Sequence, residues 1–289
     1  MRFRKQWFPT LFQGLCLVFG VYVLTIFASP ALAQSQIPAP PDPSILVVEA
    51  KGARPLASAL TRVQELMGVP VSFEEAPHEH PGDLVRTTPA SHPGLRPRII
   101  AREGQPLSVT LSPTGVDRRS DAFSAAQSIV AASSAARLPG TYGVVYSGEG
   151  VEVAPSRLLR SNGSYRDFTP VMIRTVSVPF GRRSVPETLQ ALTDSLSRVA
   201  GVKIHLLTFP LAPGTMLSYG VTELPARDAI RDILNQAGIP TSSYQLLYDP
   251  NETAYYLNLL PVASAHPPST KLPALPAQRA TDNPFFVKQ

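Results

Sequence analysis

Cysteine and tryptophan are almost missing from this chain of 289 residues: there is one of each, Cys16 and Trp7. Both lie in the first 33 residues, which read as a removable leader, so the remaining chain has neither. Without cysteine there is no disulfide framework and no thiol nucleophile, and stability must come from packed cores. Histidine is scarce as well, with five in all. No serine sits in a G-x-S-x-G elbow, and no glycine-rich phosphate loop follows a strand, because Gly148-Glu149-Gly150 is a hairpin turn with no helix start behind it. These absences remove the commonest signatures of nucleophilic and nucleotide-dependent enzymes.

The leader is carried by three features. Arg2, Arg4 and Lys5 form a basic start, Leu11 to Phe27 is a nearly continuous apolar run, and Ala31-Leu32-Ala33 offers a small-x-small cleavage site before Gln34. Cleavage after Ala33 predicts an exported protein, periplasmic or extracellular, with no stable membrane insertion. The alternative is an uncleaved N-terminal anchor, since the apolar run approaches the length of a short membrane span. Removing the leader also removes three of the 26 basic residues and no acid, leaving 23 against 21, a net charge of +2. So balanced a chain gives no reason to expect nucleic acid or an anionic membrane surface as a partner.

Periodicity and punctuation then divide what is left. Residues 34–44 are a proline-rich linker, 45–156 a first α+β module, 157–173 a polar connector, 174–262 a second α+β module, and 263–289 a proline-rich tail read as disordered. The first module carries an insertion at 76–105 with Pro77, Pro81, Pro89, Pro93 and Pro97 and little periodicity. Each module is predicted as a βαββαβ-type unit, a small mixed sheet with two helices. In the second, Thr175 to Phe180 reads as a strand, Pro186 to Ala200 as a helix, Val202 to Leu207 and Met216 to Val221 as strands, and Pro225 to Ala237 as a helix. A hairpin, Tyr244–Tyr248 with Ala254–Leu260, closes it. In the first, Pro70 marks the strand Val69–Phe73 as short or at a sheet edge.

The two modules share their order of elements and local matches. Aligned on Gly68-Val69 and Gly201-Val202, Leu56 meets Leu189, Val63 meets Leu196 and Leu66 meets Val199. In the closing hairpins Tyr142-x-x-x-Tyr146 matches Tyr244-x-x-x-Tyr248, each pair on one strand face. An internal duplication is the expectation.

Few constellations offer chemistry. His78-Glu79-His80 with His92 resembles a ligand set, but the spacing matches no zinc pattern, and a solvated loop is the simpler reading. Asp228 and Asp232 stand one turn apart with Arg227 and Arg231 interleaved, the pattern of a helix's wet side. A secreted hydrolase or metal-binding enzyme using His78/His80 or Asp228/Asp232 is therefore the alternative, and a structural component of an envelope assembly is another. The leading expectation is binding without catalysis, metal or cofactor. Open sheet edges offer main-chain donors and acceptors, and Leu217, Tyr219, Tyr244, Tyr248, Tyr142 and Tyr146 are the candidate partner-contacting residues. For the tyrosines, packing on the helix-facing side of the sheet is an equal alternative.

One stretch also has a family likeness. Val178-Pro-Phe ahead of Thr188-Leu-Gln-Ala-Leu-Thr, then Gly201-Val-Lys-Ile, then Val221-Thr-Glu-Leu-Pro-Ala-Arg-Asp-Ala-Ile-Arg-Asp-Ile-Leu-Asn-Gln-Ala-Gly resembles the short N-terminal domain of secretins and TonB-dependent transducers. The resemblance covers 175–262 and, more faintly, 45–155. Ile230 stands where leucine is usual, and Pro240 interrupts the strand that follows. The likeness implies a non-catalytic periplasmic adaptor that contacts an envelope protein or peptide, for instance a secretin or TonB-dependent channel in trans.

Overall fold

The computed structural model describes residues 45–87, 98–135, 140–208, 214–239 and 242–262. The leader, the linker and the tail lie outside these residues, as do His92 and His266. Among the described residues no helix is long and apolar enough to cross a membrane. The architecture is α+β, with four helices and mixed sheets.

The first module runs β1 (Leu46–Ala50), α1 (Pro55–Met67), β2 (Val71–Glu74), β3 (Leu84–Thr87), β4 (Arg98–Ala101), β5 (Leu107–Leu111), α2 (Arg118–Ala135), β6 (Thr141–Ser147) and β7 (Gly150–Leu159). A short strand, β8 (Tyr165–Asp167), folds back on β7. The second module runs β9 (Thr175–Ser184), α3 (Val185–Ala200), β10 (Lys203–Thr208), β11 (Met216–Pro225), α4 (Ala226–Gln236), β12 (Ser242–Asp249) and β13 (Ala254–Pro261).

Local chemistry sets the helix ends. Pro55 occupies the first turn of α1, where its missing N–H costs nothing, and Gly68 ends the helix in the left-handed region at φ 64°. The helix α3 starts with a capping box: Ser184 accepts from the Glu187 N–H while the Glu187 carboxylate accepts from the Ser184 N–H. The apolar stripe Leu189, Leu192, Leu196 follows at helical spacing and is fully buried with Ile233 and Leu257 in the second core. Leu60, Val63, Ile129 and Val153 do the same in the first. Each fully buried leucine contributes about 1.5–3 kcal/mol.

The pairings are the same in both modules. One strand before the first helix and one before the second make an antiparallel pair, β1 with β5 and β9 with β11. The strand after the first helix lies parallel to the last hairpin strand, β2 to β7 and β10 to β13, and the hairpins β6–β7 and β12–β13 are antiparallel.

Two stretches that read as irregular carry structure. Within 76–105 a 3-10 turn, Pro81–Asp83, leads into β3, which pairs with β4 as an antiparallel ladder. The supposed connector is occupied by the end of β7 and by β8. The four-residue strands β3 and β4 and the three-residue β8 are too short to show a period, and the prolines around them read as loop.

A correction of larger consequence concerns β2. Pro70 marked it as an edge, yet it lies inside a sheet of order β10-β13-β12-β2-β7-β6. Its length is short, as expected, but β12 of the second module pairs with it in parallel, Gln245 opposite Phe73 and Leu246 opposite Glu74. Pro70 stands just outside the strand, and its carbonyl accepts from the Val151 N–H at 2.8 Å. Gly150 is required at this approach: a Cβ there would lie 2.4 Å from the Pro70 oxygen.

The shared sheet repeats a unit head to tail. The second module supplies β10-β13-β12 and the first supplies the equivalent β2-β7-β6 in the same order with every strand direction reversed. Such a repeat needs a half-turn about the axis crossing the strands, which exchanges the faces. Accordingly Phe73 joins the first core and Leu246 the second, although their strands are neighbours. The other face of β12 turns to the first module, where Gln245 Nε2 donates to Thr61 Oγ1 of α1 at 2.7 Å and Leu247 packs on the first core.

Candidate functional site: the seam and the free edges of the shared sheet

The seam between β12 and β2 concentrates the buried charges of the molecule. The run Val71-Ser72-Phe73-Glu74-Glu75 places two consecutive glutamates where β2 leaves the sheet, and both are buried. Glu74 turns to the second core side, and its oxygens accept from the N–H groups of Val171 at 2.6 Å and Met172 at 3.0 Å. Burial pushes its carboxyl up to about 7; the two N–H groups oppose that rise, and nearby Glu152 adds to it.

Glu75 turns the other way and behaves oppositely. Arg54 Nε donates to it at 2.9 Å, the Tyr248 N–H donates at 2.8 Å, and His78 Nε2 lies 3.5 Å away. Burial works to raise its pKa, but His78 and Arg54 outweigh it and hold the carboxyl below the usual range. Backbone bonds bind the same place: the Glu75 N–H donates to the Leu246 carbonyl at 2.8 Å, and the Tyr255 hydroxyl donates to the Glu75 carbonyl at 3.2 Å. Arg54 also donates to the Tyr248 carbonyl at 2.7 Å. One residue thus ties α1, β2 and β12 together.

Two clefts flank the seam. One, of about 390 Å³, lies between α4, β12 and the β6–β7 turn. The Arg/Asp face of α4, read from sequence as a wet side, is half turned into it: Arg227 pairs with buried Glu152 at 2.8 Å, and Arg231 donates to Ser147 Oγ at 3.0 Å and to Asp228 at 2.9 Å. Asp232 stays exposed. Asp228 and Asp232 therefore share no site. The other cleft, of about 330 Å³, is lined by Arg54, Glu75, His78, Asp83 and Tyr142 among others. His78 is buried there, whereas His80 turns its Nδ1 to the Gly82 N–H at 3.0 Å and caps the 3-10 turn. Among the described residues no group of three or more His, Cys, Asp or Glu is placed to hold a metal.

The residues singled out for partner contact are dispersed. Leu217, Tyr219, Tyr244 and Tyr248 are all buried in the second core, because strand alternation turns them toward α3 and α4. They offer no exposed side chain for partner contact, and for Tyr244 and Tyr248 the structure shows the alternative, packing on the helix-facing side of the sheet. Tyr219 donates to the Ala229 carbonyl, and burial, with Asp232 nearby, pushes its hydroxyl up to about 12. Tyr244 faces Glu152, and burial lifts its hydroxyl well above the ordinary range. Tyr142 packs on Phe73 and accepts from the Ala76 N–H at 3.2 Å. Tyr146 alone is half exposed, stacked on Phe123 with centroids 4.3 Å apart and Arg119 above it.

What stays open is backbone. Among the described residues the strands β6 and β10 end the shared sheet, each paired on one side only. In the two-residue hairpin of β6 and β7 the closing pair Ser147–Gly150 bonds inward, and so do Val145 and Gly143. The N–H and C=O groups of Tyr142, Val144 and Tyr146 therefore point away from β7. The strand β6 carries no charge and no proline, and β10 carries one charge, Lys203. Of the devices that blunt an edge, β10 has Lys203 and a register shift between Leu206 and Thr208, whereas β6 has only a shift at its start, between Thr141 and Tyr142. His205, in β10, stacks on Tyr256 with centroids 5.0 Å apart. Sequence reasoning missed Glu74, Glu75, Glu152 and Arg54. The signal was two adjacent glutamates closing an otherwise apolar strand.

Comparison with protein-family models, with curated proteins and with solved structures returns no match.

Proposed function

We propose that this chain is an exported, non-enzymatic adaptor of the bacterial cell envelope that binds a protein or peptide partner by strand addition. The observation that carries this reading is the seam itself. There β12 adds to β2 as an extra parallel strand, with main-chain bonds for affinity and Glu75, Arg54 and Gln245 for register. A fold that already uses the mode once offers the same kind of edge again at β6, unblocked. The element order of 174–262, strand, helix, strand, strand, helix and hairpin, agrees with the resemblance to the short N-terminal domain of secretins and TonB-dependent transducers. By that resemblance the partner is a secretin or TonB-dependent channel acting in trans.

The test is capture of the periplasmic part of such a channel by the purified chain. Val144→Pro removes an outward N–H from β6 and no bond to β7, so the variant is expected to keep its fold by circular dichroism. Capture should fall at least tenfold, since a lost ladder bond and a blocked edge each weaken strand addition. Undiminished capture by the folded variant rejects strand addition at β6.

A further inference from the structure

The occupied joint inside the chain also specifies what fits its free ends. We infer that the strand which adds to β6 is β10 of a second copy of this chain, repeating the β12–β2 joint between molecules. The inference rests on the strand-addition reading and gives the β6 edge a second occupant, for which a channel strand would compete.

The argument runs through equivalent residues. On the Gly68/Gly201 alignment, β10 is to the second module what β2 is to the first, and on the tyrosine match β6 corresponds to β12. The equivalence extends to single hydrogen bonds. The first outward N–H of β2, that of Val71, donates to Gln64 Oε1 of α1 at 3.0 Å; its counterpart in β10, that of Ile204, donates to Ser197 Oγ of α3 at 3.0 Å. Both strands thus satisfy the same group within their own module and leave the same following positions to a neighbour. On the other side, the Leu246 carbonyl of β12 accepts from the Glu75 N–H, and the corresponding Val144 backbone of β6 points away from β7 while its side chain packs on the first core. The register carries over as far as Leu206, where Gln245 opposite Phe73 becomes Gly143 opposite Leu206; beyond it β10 has a register shift against β13, between Leu206 and Thr208, that β2 lacks.

Side-chain exposure agrees with this pairing. At the joint, Leu247 of β12 and Leu66 of α1 both pack on the first core. Their counterparts at the free ends are Val145 on β6, 48% exposed, and Val199 on α3, 47% exposed, beside Leu207 on β10 at 39%. The same apolar pair that is covered inside the chain is uncovered at its two ends, one half at each. A surface whose two halves sit at opposite ends of one molecule is heterologous and is satisfied by another copy, which generates an open chain or a ring. The twist accumulated over the sheet makes successive molecules rotate relative to one another.

The experiment is sedimentation of the full mature chain over a concentration series, joined to cysteine cross-linking. Self-association that rises with concentration is expected, weakened at least tenfold by Val145→Lys or by Val199→Lys. Mixing those two variants should restore pairing through the one intact β6 and the one intact β10, and should stop at dimers. Under oxidation, Val145→Cys and Val199→Cys proteins should form a mixed disulfide together and none alone. A monomer at every concentration, with no mixed cross-link, overturns the second copy. If that monomer still captures the channel fragment through β6, strand addition itself stands; if Val144→Pro alters neither association nor capture, both readings fall. Association that appears only after residues 263–289 are deleted assigns the β10 edge to the chain's own tail and also overturns the inference.

Discussion

The strands β2 and β10 hold the same place in two modules of one topology, yet among the described residues β2 is covered by a neighbour and β10 is not. Strand direction cannot account for this, because the pairings on their other sides are both parallel, to β7 and to β13, although β10 carries a register shift between Leu206 and Thr208 that β2 lacks. Side chains can. The joint at β2 is bound by Glu75, by Ser72 Oγ accepting from the Tyr244 N–H at 3.3 Å, and by Gln245 reaching Thr61. The residues standing in those places at the free ends are Thr208, His205 and Gly143. Main-chain ladders make both edges adhesive; the charged and polar groups decide which edge the chain closes on itself.

Exchanging joint residues for their free-edge counterparts tests that difference. The largest effect is expected from Glu75→Thr, which removes the acceptor of Arg54 and of the Tyr248 N–H. Breaking such a pair costs about 3–5 kcal/mol, and urea unfolding at neutral pH should show it in one transition if the modules share a cooperative sheet. Two transitions, with only one displaced, would show that the joint is not what unites them.

Next comes pH. Glu74 is raised from 4.5 to about 7, so the folded state holds its proton across a range where the unfolded state has lost it. Its contribution is complete below about 4.5 and disappears as pH rises through about 7, a difference of about 3 kcal/mol at ~1.4 kcal/mol per unit. Glu75, held low, acts in the opposite sense: its stabilisation is present above the ordinary carboxylate range and is lost on acidification. Glu74→Gln should flatten the slope between those limits while leaving the acid limb; an unchanged slope would remove Glu74 from the account.

Smaller effects separate the modules further. Gln245→Gly gives β12 the residue that β6 has, loses the bond to Thr61 and adds backbone freedom, for a cost of about 1–2 kcal/mol; Gly143→Gln should be nearly neutral. Ser184→Ala removes the cap of α3 and should cost about 1 kcal/mol in thermal or chemical unfolding. The helix α1 has no such cap to lose, since Arg54 at that position makes no capping bond and is engaged with Glu75 and Tyr248 instead.

Much of each module was legible in the residues. Leucines at helical spacing, Gly68 and Gly201 as stops, and paired tyrosines in the hairpins placed helices and strands where they form, because those signals are local. Partner contact was misplaced for a related reason. Alternation shows that Tyr244 and Tyr248 share a face, but not whether that face is wet, and helices from the same module cover it. The wet face of α4 was half right: Asp232 is exposed, while Arg227 finds Glu152 of the other module.

By itself, then, the sequence determined two α+β units with equivalent elements, through patterns that act over a few residues. Only the tertiary structure decided that β12 adds to β2, that the helices of the two modules lie on opposite faces of one sheet, and that no other described strand covers β6 or β10. Those outcomes depend on residues more than a hundred positions apart meeting at one seam, as Glu75 meets Tyr248. Edge backbones have nearly the same chemistry in every strand, so their pairing is settled only by the side chains that arrive there.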